Sequence, residues 1–252
     1  MTIQGVTGAI PTEWTMIIRE VQNVRLSQVE RTEIMMVANK TNIELAKCKC
    51  RHFYNNLIES NEPTAVTRWA YYGVRPQCWR EIYEVPYKCT ISTRLQSLHF
   101  RIINRYIPTR KYLCTRGVIG IPLCRKCFEV DDFKHFLYEC ADVKPFWKQI
   151  LNQLVDKFKL PSDFNVYESV LLGYPTAPPI VNLILLLTKQ YIVTIKLNTN
   201  DTTHEPQISC LTELISRYAQ AELIIAKQQK TLERYKVKWG LIMDESGNVT
   251  IG

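Results

Sequence analysis

The sequence predicts a mainly α protein, and three observations carry that prediction. Apolar residues recur at three- and four-residue spacing through the stretches 92–107, 142–159 and 207–239. Turn punctuation is sparse: nine glycines serve 252 residues, with no Ser/Gly linker, no low-complexity segment and no internal repeat. Strand-like alternation supports one strand pair at most.

Taken in order, residues 12–58 read as mostly helical. Thr12 followed by Glu13 would cap "EWTMIIREVQNV", and "IELAKCKCRHFYNNLIE" (43–59) brings Leu45, Phe53, Leu57 and Ile58 near one face. "NEPTAV" (61–66) reads as a loop. "RWAYYGVRPQCWREIYEVPYKCT" (68–90), with two prolines, reads as a short helix followed by an extended piece. In "STRLQSLHFRIINRYI" (92–107), Leu95, Leu98, Ile102 and Tyr106 form a helical stripe, with His99 at its edge as a core histidine. In 142–159, Pro145 suits a first turn, and Phe146, Trp147, Ile150, Leu151, Leu154, Val155 and Phe158 make a wide core-facing stripe.

"YPTAPP" (174–179) is a loop, and 180–196 is a buried helix, although periodicity alone leaves a strand pair open. Residues 207–239 read as one long helix of four heptads, interrupted in polarity only at Gln228. Such a helix either packs as a terminal core helix or pairs with another chain. "LIMDESGNVTI" (241–251) reads as a small hairpin around Ser246-Gly247-Asn248. The organisation expected is an N-terminal helical region at 1–84, a basic central region at 85–160, and a C-terminal helical region at 161–252.

The composition, 46% apolar, is enough for a real core. The chain starts without a basic, apolar signal-like run. Its longest apolar stretch, 180–195, is about sixteen residues, short of the ~20 that span a bilayer. A soluble intracellular protein with no membrane partner is therefore expected. Nine cysteines, an odd number, fit reduced thiols better than a disulfide framework. The sequons at Asn39, Asn200 and Asn248 would then carry no glycan.

Charge is concentrated. Residues 85–128 contain no Asp or Glu, yet hold Lys88, Arg94, Arg101, Arg105, Arg110, Lys111, Arg116, Arg125 and Lys126. That segment carries +9 against a net +8 for the whole chain, so the remainder sums to −1. A focused basic strip suits a polyanion, and its alternative is a solvated surface. On an ideal wheel Arg94, Arg101 and Arg105 fall within about 40° of one another, which favours phosphate contact.

The basic strip runs into "CRKCFEVDDFKHFLYEC" (124–140). The order Cys124-x2-Cys127-x7-His135-x4-Cys140 has the ligand types and spacing of a structural Zn²⁺ site, with three thiolates and one imidazole filling a tetrahedron. His135 and Cys140 lie about 140° apart on an ideal helix, so the chain between them must leave regular helical geometry. A redox pair would use Cys124 and Cys127 alone and leave His135 and Cys140 without a role. A catalytic metal would need an open position and a base, for which Asp131 and Asp132 are the nearby candidates. A cluster without metal is the third alternative. Cys48, Cys50 and His52 are too closely spaced for one knuckle and read, like Cys78, Cys89, Cys114 and Cys210, as ordinary thiols.

Residues 89–150 resemble the zinc-binding region that follows the polymerase in LINE-type (non-LTR) retrotransposon reverse transcriptases. The motifs are the "RL…F.RI..R…T…L…G" approach, the Cys-x2-Cys…His-x4-Cys cluster, and the "C..V..FW" exit. The flanks "IPTEW" (10–14), "CWREIYEVPYKCT" (78–90), "LLGYP…NLILLLTKQYIVTIK" (171–196) and "KVKWG" (236–240) are similar as well. The resemblance implies a helical segment that holds template RNA or target DNA. The chain departs from the family in lacking an aromatic-x-Asp-Asp polymerase motif; its one Asp-Asp pair, 131–132, sits between zinc ligands. It also has no segment matching fingers, palm or endonuclease.

The expectation is therefore a non-catalytic, zinc-stapled module, a detached tail or domesticated remnant. It would bind RNA or another single strand through Arg94, Arg101, Arg105, Arg110, Lys111, Arg116, Arg125 and Lys126. Phe100, Tyr106 and Tyr112 are either stacking platforms or core. The alternatives are a protein-interaction scaffold using 207–239, or a retroelement fragment without selected function.

Overall fold

Helix α7 (Pro179–Leu197) is apolar around its whole circumference, with twelve buried residues from Ile180 to Val193. A helix of this kind must be enclosed. The computed structural model describes residues 35–38, 41–44, 64–70, 79–161, 167–198, 205–244 and 249–250. It divides the chain into two compact units, 1–62 and 63–252. The boundaries expected at 84/85 and 160/161 both lie within the second unit.

In the first unit the described residues form an antiparallel pair, β1 (Met35–Ala38) and β2 (Thr41–Glu44), with Ala38 opposite Thr41. The helical expectation for 12–58 is thus wrong at these positions, including Ile43 and Glu44. Val37, Thr41 and Ile43 are β-branched and favour the pleated conformation. The helix expected after Thr12 lies outside the described residues, as do Cys48, Cys50, His52 and Cys78.

The second unit is helical: α1 (Thr64–Ala70), α2 (Trp79–Cys89), α3 (Thr93–Ile103), α4 (Arg110–Thr115), a π-helical turn (His135–Glu139), α5 (Val143–Phe158), α6 (Tyr167–Leu172), α7, α8 (Ile208–Gln228) and α9 (Leu232–Trp239). Helices α2, α3, α6, α8 and α9 and the π-turn all contact α7. Although α7 is long and apolar enough to cross a membrane, 72% of that stretch is buried inside the protein. Its few polar side chains are satisfied within the fold. Asn182 accepts from the Tyr174 amide and donates to its carbonyl, both at 2.8 Å, which pins the α6–α7 loop. Gly173 in that loop has φ +88°, and a Cβ there would meet Val85 at 3.0 Å. Lys189 is fully buried and donates to the carbonyls of Val170 and Leu171 at the end of α6.

Three sequence expectations are corrected here. First, α1 already begins at Thr64, inside the predicted loop 61–66. Second, residues 79–89 are helical through Pro86, not extended. A proline inside a helix leaves the carbonyl four residues back without its donor. That carbonyl, Ile82 O, accepts from the buried His99 Nε2 at 2.9 Å. The tertiary partner removes the cost that made the segment look extended.

Third, 207–239 is not one helix. It breaks at Gln229–Thr231, and the buried stripe runs Leu211, Ile215, Ala219 and Ala226, with Ala221 exposed. Lys230 adopts φ +57°, and the Thr231 amide donates to Ala226 O at 2.9 Å, closing α8 in a Schellman turn. The returning α9 docks by a buried clasp: Lys238 donates to Cys89 O and to Glu222, and Trp239 Nε1 donates to Glu222 Oε2 at 2.7 Å.

The same closure recurs. Arg105 (φ +58°) ends α3 with a Tyr106 N to Arg101 O bond, and Lys159 (φ +52°) ends α5 with Leu160 N to Val155 O. No glycine marks any of these three ends. A basic side chain is favourable against the helix C-terminal dipole, but the left-handed backbone costs about 1–2 kcal/mol for a residue with a Cβ. At the chain end, Met243 and Val249 form an antiparallel bridge. The turn expected at Ser246-Gly247-Asn248 lies outside the described residues.

Two outcomes follow from this packing. Lys230→Gly and Lys159→Gly should each raise thermal stability by about 1 kcal/mol, read as an upward Tm shift. His99 is one pH-sensitive element of the core: burial, and then the neighbouring Lys189 charge, push it down to about 3 from 6.5. The unfolded chain therefore binds the proton below pH 6.5 while the fold refuses it until about pH 3. Stability held above pH 6.5 should fall across that window, on the order of 2 kcal/mol by pH 4.5. His99→Gln, which keeps a donor for Ile82 O, should lose less between pH 7 and 4.5 in denaturant titrations.

Candidate metal centre

The first two ligands sit on a short knuckle. Leu123 and Val130 form an antiparallel bridge, Cys124 N donates to Glu129 O at 2.7 Å, and Asp131 N donates to Pro122 O at 2.9 Å. The chain reverses through Arg125–Cys127, and Phe128 takes a left-handed φ of +59°. The amides of Cys127 and Lys126 point at Cys124 Sγ. Cys127 thereby returns to the side of Cys124.

The second two ligands sit on the π-turn. The Cys140 amide donates to His135 O at 3.0 Å, a bond spanning five residues. An α-helix places residues five apart on different faces, whereas the wider π-turn stacks them. The departure from regular helix required by the His135-x4-Cys140 spacing is this turn. It is braced at both ends. Asp132 Oδ1 accepts from His135 N at 3.0 Å, and Trp147 Nε1 on α5 donates to Leu137 O at 2.8 Å.

The four side chains converge. Cys124 Sγ and Cys140 Sγ are 3.9 Å apart, Cys127 Sγ and His135 Nε2 are 3.2 Å apart, and all four ligand atoms lie within 4.8 Å of one another. Three of the residues are buried and Cys127 is half-buried. These residues could hold a metal ion in a closed, four-ligand site. On the far side of the imidazole, Glu129 Oε2 lies 3.4 Å from His135 Nδ1. A carboxylate there fixes the tautomer that leaves Nε2 free as a ligand. The Cys124 thiol is pulled down chiefly by the Cys140 hydrogen bond, helped by the two knuckle amides, while Cys140 is pushed up by the same hydrogen bond and by burial.

The Lys196 ammonium on α7 sits beside Cys140, over the Phe136 ring at 5.0 Å and 3.9 Å from Asp131 Oδ1. Asp131 is buried, which raises its pKa against the pull of Lys196. Asp131 and Asp132 are thus held by Lys196, the Arg110 amide and the His135 amide. Lys196 is the residue that sequence reading missed. It lies 56 positions beyond Cys140, and only the packing of α7 under the π-turn brings it in.

The basic residues are not brought together as one edge. Helix α3 ends at Ile103, so Arg105 leaves the arc of Arg94 and Arg101. Its guanidinium turns inward over Trp69 at 4.9 Å and Phe133 at 5.0 Å. Arg110 is spent on structure, donating to Leu123 O at 2.6 Å and Ile121 O at 3.2 Å. Arg94, Arg101, Lys111, Arg116, Arg125 and Lys126 are exposed. Lys126 pairs with Asp142 at 3.8 Å, and Arg116 lies over Tyr112. Arg94 and Arg101 form no ion pair among the described residues. Among the described residues, every aromatic in the set of large exposed apolar side chains falls in the same segment: Tyr87, Phe100, Tyr106, Tyr112 and Phe128.

Comparison of the chain with protein-family models, with curated proteins and with solved structures finds no match. The resemblance of residues 89–150 to the retrotransposon region therefore rests on the quoted motifs alone.

A titration with Co²⁺ tests the geometry. We expect one equivalent bound per chain, with the intense visible absorption of tetrahedral thiolate–imidazole coordination. Cys127→Ser should weaken uptake and alter that spectrum, and Glu129→Gln should weaken it by roughly 10–100-fold. Full uptake by Cys127→Ser with an unchanged spectrum would exclude the four-ligand centre.

Proposed function

We propose that this chain is a non-catalytic, zinc-stapled module that binds RNA or another single-stranded nucleic acid. The observation that carries the reading is the coincidence of exposed aromatics and exposed cations in one acid-free segment, 85–128, where Arg94 and Arg101 form no ion pair among the described residues. Apolar rings left in water beside arginines are what a sequence-tolerant single-strand surface needs. The cations hold phosphates, and the rings stack on bases at about 1–3 kcal/mol each. Phe100, Tyr106 and Tyr112, for which core was the alternative, are 54%, 49% and 41% exposed. The resemblance to the retrotransposon zinc-binding region supports the same class of ligand.

Zinc is the metal the donor set favours. Zn–S bonds of ~2.3 Å and Zn–N bonds of ~2.0–2.1 Å set tetrahedral ligand atoms about 3.5–3.8 Å apart. The 3.9 Å and 3.2 Å separations bracket that range. Cys124, Cys127, His135 and Cys140 would hold the ion. It would supply no chemistry beyond fixing the knuckle to the π-turn, because four protein ligands leave no position for substrate. Three thiolates around Zn²⁺ leave one net negative charge, which Lys196 is placed to balance.

The scaffold alternative drew on a continuous heptad helix. With 207–239 split into α8 and α9 and its stripe turned into the core, that alternative loses its carrying feature.

Purified protein should contain one zinc per chain by elemental analysis. In filter-binding titrations with an unstructured RNA, affinity should fall steeply with salt. Arg94→Gln combined with Arg101→Gln should flatten the log–log slope by about 1.4, roughly 0.7 for each phosphate contact, across unrelated sequences. Both substitutions are on exposed sites, so the circular dichroism spectrum should match the parent. An unchanged slope would mean that these arginines are solvated surface and would overturn the nucleic-acid reading.

A further inference from the structure

Next to the metal centre lies a cavity of about 200 Å³. Its walls are apolar: Pro108, Leu113, Ile119, Phe136, Ile192 and Ile195. Two polar groups at its floor face it without hydrogen-bond partners among the described residues, Asp131 Oδ1 and Lys196 Nζ. Asp131 is 3% exposed, and its other oxygen is occupied by the Arg110 amide at 3.1 Å. The 3.9 Å between Oδ1 and Nζ is too long for a hydrogen bond. Asp131 and Lys196 thus face each other as an ion pair without a hydrogen bond, with Cys140 beside Lys196, in the lining of one largely apolar pocket. Buried polar groups are ordinarily paired, so a floor of this kind calls for a ligand with complementary edges.

The rim supplies a second constraint. Arg125 and Lys126 also line the cavity, together with Asp142, which pairs with Lys126 at 3.8 Å. A ligand that fits this lining presents an anion beside Arg125 and Lys126, and a flat, largely apolar body inside with a donor and an acceptor toward Asp131 and Lys196. The cavity is large for one water, at roughly 30 Å³, and small for the roughly 300–1,000 Å³ of sites that take drug-sized ligands. One ring system fits and two stacked ones do not.

We infer that this cavity receives a single base of the bound strand, swung out from its neighbours, with the flanking phosphates on Arg125 and Lys126. The inference rests on the nucleic-acid reading above and adds a base-holding pocket to it. Each of the common bases carries both donors and acceptors on its pairing edge, so Asp131 accepts from a ring or exocyclic N–H while Lys196 donates to a ring nitrogen or carbonyl. The walls supply apolar contact on the ring faces. The exposed rings already favour a strand with bases over one without, so the pocket is read from what its own variants remove.

The test uses the full zinc-loaded chain and two 12-nucleotide RNAs, one of ordinary mixed sequence and one abasic throughout. The parent should bind the ordinary strand about tenfold more tightly than the abasic one at equal salt, the lower end of what base contacts contribute. Lys196→Met, which keeps the aliphatic stem, should remove most of that preference and leave the abasic affinity and the salt slope unchanged. Ile195→Phe, which fills the cavity without touching a charge, should do the same. Zinc content and the melting temperature report whether either variant is folded, and Ile195→Phe carries the test if Lys196→Met disturbs the metal. A 2-aminopurine placed in the ordinary strand should brighten on binding to the parent and less on binding to Ile195→Phe. An unchanged preference in folded Ile195→Phe would overturn the pocket while leaving the nucleic-acid reading intact, and equal binding of both strands by the parent would overturn the pocket and the ring stacking together. No salt-sensitive binding of either strand would overturn both.

Discussion

A helix without a polar side has no place at a surface. Helix α7 is such a helix from Ile180 to Val193, and the elements of the second unit are arranged to bury most of it. Burying twelve of its residues is favourable in proportion to the apolar area removed from water, and that gain holds α2, α3, α6, α8 and α9 around it. The tolerance for polar groups inside is correspondingly narrow. Each of the three found there carries a structural duty: Asn182 closes a loop, Thr188 bonds back to Ile184 O at 2.8 Å, and Lys189 ends a neighbouring helix. At its C-terminal end α7 delivers Lys196 to the ligand cluster. The candidate metal centre is thus an edge of the same core, and its π-turn packs on α7 as the helices do.

This arrangement divides labour between thiolates and guanidiniums. The cluster joins two backbone pieces, a knuckle whose side chains are mostly exposed and a π-turn that the core holds through Phe136 and Leu137. The neighbouring acid-free segment faces outward and keeps its rings in water. Arg105 and Arg110 mark the boundary between the two duties. Both are basic residues in a basic strip, but one stacks on Trp69 and Phe133 and the other holds the carbonyls of the knuckle. Counting charges along a sequence merges such residues with the exposed ones.

The ligand set was legible because its residue types and spacing admit few other uses, and so was the irregular turn, which follows from the geometry of two ligands five residues apart. The stripes of α3 and α5 were legible from periodicity. What failed has a common cause. The extended piece read within 68–90 turns out helical at Pro86, and the partner that allows it, His99, lies ten positions beyond the helix that contains the proline. The unbroken reading of 207–239 rested on apolar spacing, while Lys230 takes a left-handed turn that no glycine marks. Arg105 was misplaced by the same mechanism at the end of α3. Non-glycine helix ends and long-range donors are properties of the assembled fold, and no local window contains them.

The π-turn also makes chain length, more than composition, the fragile variable of this region. His135 and Cys140 share one face only because five residues separate them on a widened turn. Loss of any one residue between them would let the segment relax into an ordinary helix, and every side chain after it would rotate by about 100°. Trp147 would then swing away from Leu137, and the apolar face of α5 would turn out of the core. A single-codon deletion in 136–139 therefore reaches further than most substitutions there, because it moves a ligand and a whole helix at once.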